Sequence, residues 1–211
     1  MILGLETSSP RASLCLYDNG KVLWESHFET DRSHNSKLFT PLNEALDFCQ
    51  RKLDLIAIGV GPGSYSGVRV GIAAANGISL ALGVPVVGIS SLLAFDAERK
   101  DYQVVGDARR KTFYIASITD GSLAGEPALL DEAGLTASLN DGAIFTMDRT
   151  VADAFEQTEL RFPTAEGIAY RASLQFPIGS DLPTAPVEPH YLRAPYITKA
   201  KKKPIPGFPR R

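Results

Sequence analysis

Residues 59–71 read Gly-Val-Gly-Pro-Gly-Ser-Tyr-Ser-Gly-Val-Arg-Val-Gly. Just before them runs Leu53-Asp54-Leu55-Ile56-Ala57-Ile58, an apolar, branched stretch of strand length. Just after them a helical pattern extends from Val68 to Leu82. A strand, a glycine-rich turn and a helix start form a unit that can receive an anion. Glycines let backbone approach closely, and the free amides of the first helical turn point outward. Ser64 and Ser66 are candidate caps for that helix. No Lys stands in the Gly-Lys-Ser/Thr position, so this is not a P-loop, and the glycine spacing is not the dinucleotide fingerprint. On its own the loop reads first as a tight strand-to-helix turn.

A second segment changes that balance. Met1-Ile2-Leu3-Gly4-Leu5 is an apolar run that stops at Glu6-Thr7-Ser8-Ser9, an acid and three hydroxyls. Arg11 to Tyr17 and Lys21 to Phe28 follow as short strands around Asp18-Asn19-Gly20, where Asn-Gly is a hairpin signal. The order is three strands, a helix over about 35–51, a strand, a helix and a strand. That is the first half of the ribonuclease-H-like unit of the actin, Hsp70 and sugar-kinase superfamily.

Four segments together carry a closer resemblance. They are Met1 to Ser9, Gly61 to Gly71, Asp107-Ala108-Arg109-Arg110 and Pro189-His190-Tyr191-Leu192-Arg193. They resemble the TsaB (YeaZ) family over residues 1 to about 196, with Gly61 to Gly71 the most specific of the four. The resemblance implies an α/β fold of the actin-like ATPase (ribonuclease-H-like) type with two subdomains, the second reduced. Residues 1–100 would form the first subdomain, 101–196 the second, and 197–211 a basic, proline-containing tail. It also implies a non-catalytic dimerisation subunit in the synthesis of tRNA N6-threonylcarbamoyladenosine. The expected partners are the catalytic paralogue TsaD, the ATPase subunit TsaE, a second copy of the chain when alone, and tRNA through the complex. No cofactor, metal or membrane is expected, and the cytoplasm is the expected location. The alternative is an active ATPase or phosphotransferase of the same superfamily.

The 211 residues, 44% hydrophobic, suffice for a substantial core. The first residues already read as a strand, so no leader segment is expected. The apolar stretch from Val70 to Ile89 is broken by Asn76, Ser79, Pro85 and glycines, and reads as helix, turn and strand rather than a membrane span. Cys15 and Cys49 have neither metal nor redox spacing and read as buried thiols. The net charge of −2 conceals an uneven distribution. Lys199, Lys201, Lys202, Lys203, Arg210 and Arg211 stand with no acid among them, while the rest of the chain holds 16 basic and 24 acidic residues. Such a tail either solubilises or touches an anionic partner. If it touches tRNA, its removal should flatten the salt dependence of binding.

Helix 68–82 is rich in small residues. Gly67, Gly71, Ala74, Ala75, Ile78 and Leu82 share one side, and Ala73, Gly77 and Ala81 widen it. Each internal glycine costs about 1 kcal/mol relative to alanine, so close approach of another backbone is expected. Leu38, Leu42 and Leu46 on the first helix, with Gly67, Gly71 and Ile78, form the expected partner surface, exposed or self-paired. Gly71→Arg should then abolish partner binding and leave the chain soluble.

Phosphate chemistry in this superfamily needs a polar loop from each half. Glu6, Thr7, Ser8 and Ser9, with the glycine loop of Gly61, Gly63, Ser64 and Gly67, provide one. The glycines of the second half, from Gly106 onward, are too scattered for another cradle. Glu6 stands where the resembled family commonly has Asp. His27, His34 and His190 have no neighbouring His at metal spacing, and Ser64 and Ser66 have no evident His or Asp partner. The loop around Glu6 therefore reads as a vestigial phosphate site with no catalytic residue. Asp107, Arg109 and Arg110, between two strands, read as either an anion fork or a local ion pair. Further helices are expected at Ser90 to Arg99, Asp131 to Leu139, Thr150 to Gln157 and Ala165 to Gln175, with a short strand at Ala143 to Met147.

Overall fold

The computed structural model describes residues 1–29, 35–96, 98–177, 179, 182 and 186–192. Expectations on Ser33, His34, Arg193 and the basic tail lie outside these residues.

The chain opens with a meander of β1 (Ile2–Glu6), β2 (Arg11–Asp18) and β3 (Lys21–Glu29). Asn19 and Gly20 take φ of 48° and 82°, the left-handed pair that a two-residue hairpin turn needs. A 3-10 turn at Asn35–Leu38 leads into α1 (Phe39–Phe48). Pro41 lies in the first turn of α1, where its missing N–H would have no partner within the helix. The helix stops short of the expected Arg51 because Gln50 and Arg51 turn left-handed, with φ of 51° and 59°. Then come β4 (Leu55–Gly59), α2 (Tyr65–Leu82) and β5 (Val86–Ile89). Gly83 ends α2 at φ 67° and donates its N–H to the Ser79 carbonyl at 2.9 Å.

These strands form a sheet in the order β3-β2-β1-β4-β5. β1 is antiparallel to β2 and parallel to β4. The two-residue period then sorts its faces. Leu3 and Leu5 join Leu14, Leu16, Ile56 and Ile58 under α1 and α2. Ile2, Cys15, Leu55, Ala57 and Val87 face the other way.

The expected helix from Ser90 to Arg99 is instead a 3-10 turn at Ser91–Leu93. Leu92, Leu93, Ala94 and Phe95 are consecutive rather than spaced along one stripe, and all four are buried. A helix would have turned some of them to water. Asp96 closes the turn by accepting the Glu98 and Arg99 amides, each at 3.1 Å.

The second subdomain holds β6 (Tyr102–Asp107), β7 (Phe113–Thr119), β8 (Ser122–Leu123), β9 (Ala128–Leu130), α3 (Glu132–Ser138), β10 (Ile144–Thr146), α4 (Arg149–Ala154) and β11 (Glu159–Leu160). Its sheet order is β11-β10-β6-β7-β8, with β9 also on β7. Read from the other end, β8-β7-β6-β10-β11 repeats the first sheet strand for strand. The β6–β7 hairpin answers β1–β2, and β10 and β11 run parallel beside β6 as β4 and β5 run beside β1. No such repeat is visible in the sequence. The copy is reduced, with β10 only three residues and β11 two.

α5 (Ala165–Gln175) departs from the expected domain division. Its Ala165, Ile168, Ala169 and Ala172 pack on the back of the first sheet, against Ile2, Cys15, Leu55 and Val87. The Ala165 amide donates to Ser13 Oγ at 2.8 Å. Its small apolar stripe fits the bare face of the first sheet, so this helix packs across the boundary expected at residue 100. Buried Arg171 extends from α5, donating from Nε to the Leu93 carbonyl at 3.2 Å and from Nη2 to the Arg99 carbonyl at 3.4 Å. Residues 186–192 also return to the first subdomain. Val187 exchanges two hydrogen bonds of 3.0 Å with the Asn76 side chain, and the His190 amide donates to the Val60 carbonyl at 2.9 Å.

A candidate site between two hairpin loops

The topological repeat places the turn after β1 and the turn after β6 on opposite walls of one cleft of about 700 Å³. Ser8 and Pro10 come from the first turn, and Asp107, Ala108 and Arg109 from the second. Residues 62–67 supply the glycine loop and the start of α2, Met147 and Asp148 follow β10, and His190 to Leu192 form one side. The second half therefore does answer the first, with an acid–arginine turn instead of a glycine cradle.

The glycine loop holds its shape through close backbone packing. Ser64 caps α2, its Oγ accepting the Gly67 amide at 3.2 Å. The Ser64 amide donates to the Ser8 carbonyl at 2.6 Å. A side chain at Gly63 would strike the Ser8 backbone, and one at Gly67 would strike the Thr7 carbonyl. Thr7 Oγ1 donates to the Gly67 carbonyl at 3.0 Å and would be struck in turn by a side chain at Gly71.

These contacts correct two expectations. Of Glu6, Thr7, Ser8 and Ser9, only Ser8 borders the cleft. Thr7 holds α2, and Ser9 accepts the Arg11 amide at 3.2 Å and donates to its carbonyl at 2.7 Å. Likewise, Leu38, Leu42, Gly67 and Gly71 are not an exposed surface. The two leucines lie in the core under α1, and the two glycines let α2 press on β1 and its turn. Leu46 and Ile78 are half-buried beside them. The outward side of α2 carries Ala73, Gly77, Leu80 and Ala81, with Leu80 88% exposed and open space over Gly77.

Glu6 is fully buried between Gly59 and Ser91. Its Oε1 accepts the Ser8 amide at 2.6 Å, and Oε2 has no well-formed hydrogen bond. Burial pushes its pKa up, and the nearby Ser8 and Ser91 hydroxyls offset only part of that effect. Above the ordinary glutamate pKa of 4.5, the unfolded chain has lost a proton that the folded chain keeps. Stability therefore falls as pH rises from there through the raised value. Glu6→Gln should remove this slope and be the more stable form near neutral pH, by urea unfolding across the acid-to-neutral range. Equal destabilisation at every pH would show that the carboxyl is ionised in the fold.

Across the cleft, Asp148 Oδ2 accepts the Asp107 amide at 2.9 Å. Burial raises the Asp148 pKa; the hydrogen bond from the Asp107 amide and the charge of Arg109 oppose the shift, and the Asp107 carboxylate adds to it. Asp107 accepts both the amide of Arg109, at 2.6 Å, and its guanidinium, at 3.4 Å. Arg109, Arg110 and Lys111 all take positive φ, so the turn is one tight left-handed segment. Tyr65 and Tyr191 stack at the mouth with centroids 5.6 Å apart, and Arg69 lies over Tyr65. Sequence reading missed Tyr114, whose position on a strand gives no signal, and Asp148. For Asp148 a signal existed: it follows a short apolar strand as Glu6 follows Met1 to Leu5. Among the described residues no cluster of three potential metal ligands occurs, and no helix is long and apolar enough to cross a membrane.

Two sheets of matching strand order, β3-β2-β1-β4-β5 and β8-β7-β6-β10-β11, whose first hairpin turns border one cleft, define a mixed α/β fold of the actin-like ATPase type. The family model described as "TsaD: tRNA N6-adenosine threonylcarbamoyltransferase" matches residues 28–137. The chain belongs to this family, as a TsaB (YeaZ) member. It is 30% identical over 200 residues to an uncharacterized protein of Mycobacterium tuberculosis, covering 92% of each chain. It is 33% identical over 96 residues to the tRNA threonylcarbamoyladenosine biosynthesis protein TsaB of Escherichia coli, covering 44% of this chain and 41% of that one. The fold matches YeaZ from Pseudomonas aeruginosa with a TM-score of 0.74 at 23% identity, over 90% of this chain and 98% of that structure.

Proposed function

We propose that the chain is a non-catalytic subunit of tRNA N6-threonylcarbamoyladenosine synthesis and that it pairs with the catalytic paralogue TsaD. The named TsaB relatives support the pathway. The observation that carries the pairing is the outward side of α2. Leu80 is 88% exposed beside Ala73, Gly77 and Ala81, and Phe39 and Phe48 of α1 are about half exposed. Apolar side chains with small residues between them suit a helix laid alongside, because the backbones can approach. The partner surface is thus the neighbour of the stripe read from sequence, turned outward. The inward orientation of Glu6 and Thr7 supports an accessory role over the ATPase alternative, since neither reaches the cleft. A second copy of the chain can use the same helix side when TsaD is absent, and TsaE and tRNA join through the pair.

Leu80→Arg tests this reading. The exposed residue can change without disturbing the core, so the melting temperature should not move. Binding to TsaD of the same organism, measured by titration, should weaken roughly thirtyfold, the value of an interface anchor of about 2 kcal/mol. Unchanged affinity would remove α2 from the interface.

A further inference from the structure

We infer that the outer edge of β3 pairs with the same edge of a second copy of the chain, antiparallel about Ser26, joining two copies of the first sheet into one continuous sheet. The contact uses a strand edge and not the helix side proposed for TsaD, so it does not depend on that reading.

The edge itself is open. β3 stands at the end of the order β3-β2-β1-β4-β5, and among the described residues its one strand partner is β2. The N–H and C=O groups along the far side of such a strand are a template for another strand. Edges are commonly blunted by proline, lysine, a bulge or short length. β3 runs nine residues, and its register irregularity, between Leu16 and Tyr17 of β2, falls at the hairpin end near Lys21. From Trp24 to Glu29 the register with β2 is unbroken. That segment, Trp-Glu-Ser-His-Phe-Glu, holds neither proline nor lysine.

The same segment is complementary to itself, and this selects the occupant. With Ser26 opposite Ser26, an antiparallel copy sets Trp24 across from Phe28 and Glu25 across from His27, each pair occurring twice. Trp24 and Phe28 are half-buried on the side of the sheet that α1 covers. Glu25 and His27 stand on the other side with side chains 55% and 58% exposed. Aromatic pairs and opposite-charge pairs directly across a seam are favourable, and like charges there are not. Within one chain His27 Nε2 already lies 3.3 Å from Glu25 Oε2. Across the seam the two acids and two imidazoles therefore alternate around a square. Neighbouring registers lose this match, because a shift by two residues sets Glu25 opposite Glu25 or His27 opposite His27. A parallel copy in register sets every group opposite itself. The contact is isologous and closes at two chains. Its narrow width makes it a weak, concentration-dependent dimer.

The test is sedimentation velocity of the full chain at high micromolar concentration, with Leu80→Arg in every sample to remove association through α2. The Leu80→Arg chain should still dimerise. His27→Glu sets acids opposite acids, and the double variant Glu25→Lys with His27→Lys sets lysines opposite lysines. Each should weaken the dimer at least tenfold. Both change exposed side chains, so neither should move the melting temperature. Mixing the two variants, one of them fluorescently labelled, should restore a dimer holding one chain of each kind. Three results would each overturn the inference: a Leu80→Arg chain that stays monomeric at every concentration, a dimer of full strength in both charge variants, or a mixture that forms no mixed dimer.

Discussion

Gly67→Ala should destabilise the chain by about 3 kcal/mol, near the upper end for overpacking against backbone. The added methyl meets the Thr7 carbonyl, and the carbonyl cannot retreat without pulling β1 and its turn from the first sheet. Gly71→Arg meets Thr7 and Ile58, so it should fail to fold rather than yield the soluble, partner-blind protein that the sequence reading leads one to expect. Gly77→Ala gives the opposite sign. Nothing stands within 4 Å of a methyl there, so the helix should gain about 1 kcal/mol from lost glycine flexibility. Chemical unfolding of the three variants separates the inward from the outward side of α2. Similar stability in Gly67→Ala and Gly77→Ala would contradict the packing of α2 described above.

Arg171→Met should lose on the order of 3 kcal/mol, because it strips a donor from the buried Leu93 carbonyl and another from the part-buried Arg99 carbonyl while keeping most of the side-chain volume. The Leu93 and Arg99 carbonyls would be left without these bonds. Both lie on the segment that joins the two sheets, so hydrogen exchange should rise first around residues 93–101. A loss confined to α5 would mean that Arg171 anchors its own helix and not the junction.

Much of the first subdomain was legible because its signals are local. The Asn19-Gly20 turn, the apolar runs of β1 and β4, and the glycines before α2 each specify one element through backbone geometry. The direction in which the small residues of α2 point was not legible. Gly67, Gly71 and Gly77 look alike along the chain, and only the position of Thr7 distinguishes packing glycines from an open one. The cleft was half legible for a related reason. The sequence places an acid and hydroxyls after β1, but whether each side chain turns toward the cleft or the core depends on the pleat and on Gly59 and Ser91, far away in the chain. The Asp107–Arg109 turn of the second wall was legible as a candidate anion fork, but not as the counterpart of the first turn, because left-handed arginines make it where glycine is the usual signal.

The return of α5 to the first sheet also bears on how the polypeptide comes off the ribosome. Strands β1 to β5 are complete by residue 89, yet the surface carrying Ile2, Leu55 and Val87 has no cover until residues 165–175 emerge. Between residues 89 and 165, about a third of synthesis, the nascent protein therefore displays a half-covered apolar sheet, the kind of surface that recruits chaperones or sticks to its neighbours. Closing that sheet requires contacts across some 150 positions of sequence, as between Ser13 and Ala165, the long-range kind of contact that slows folding.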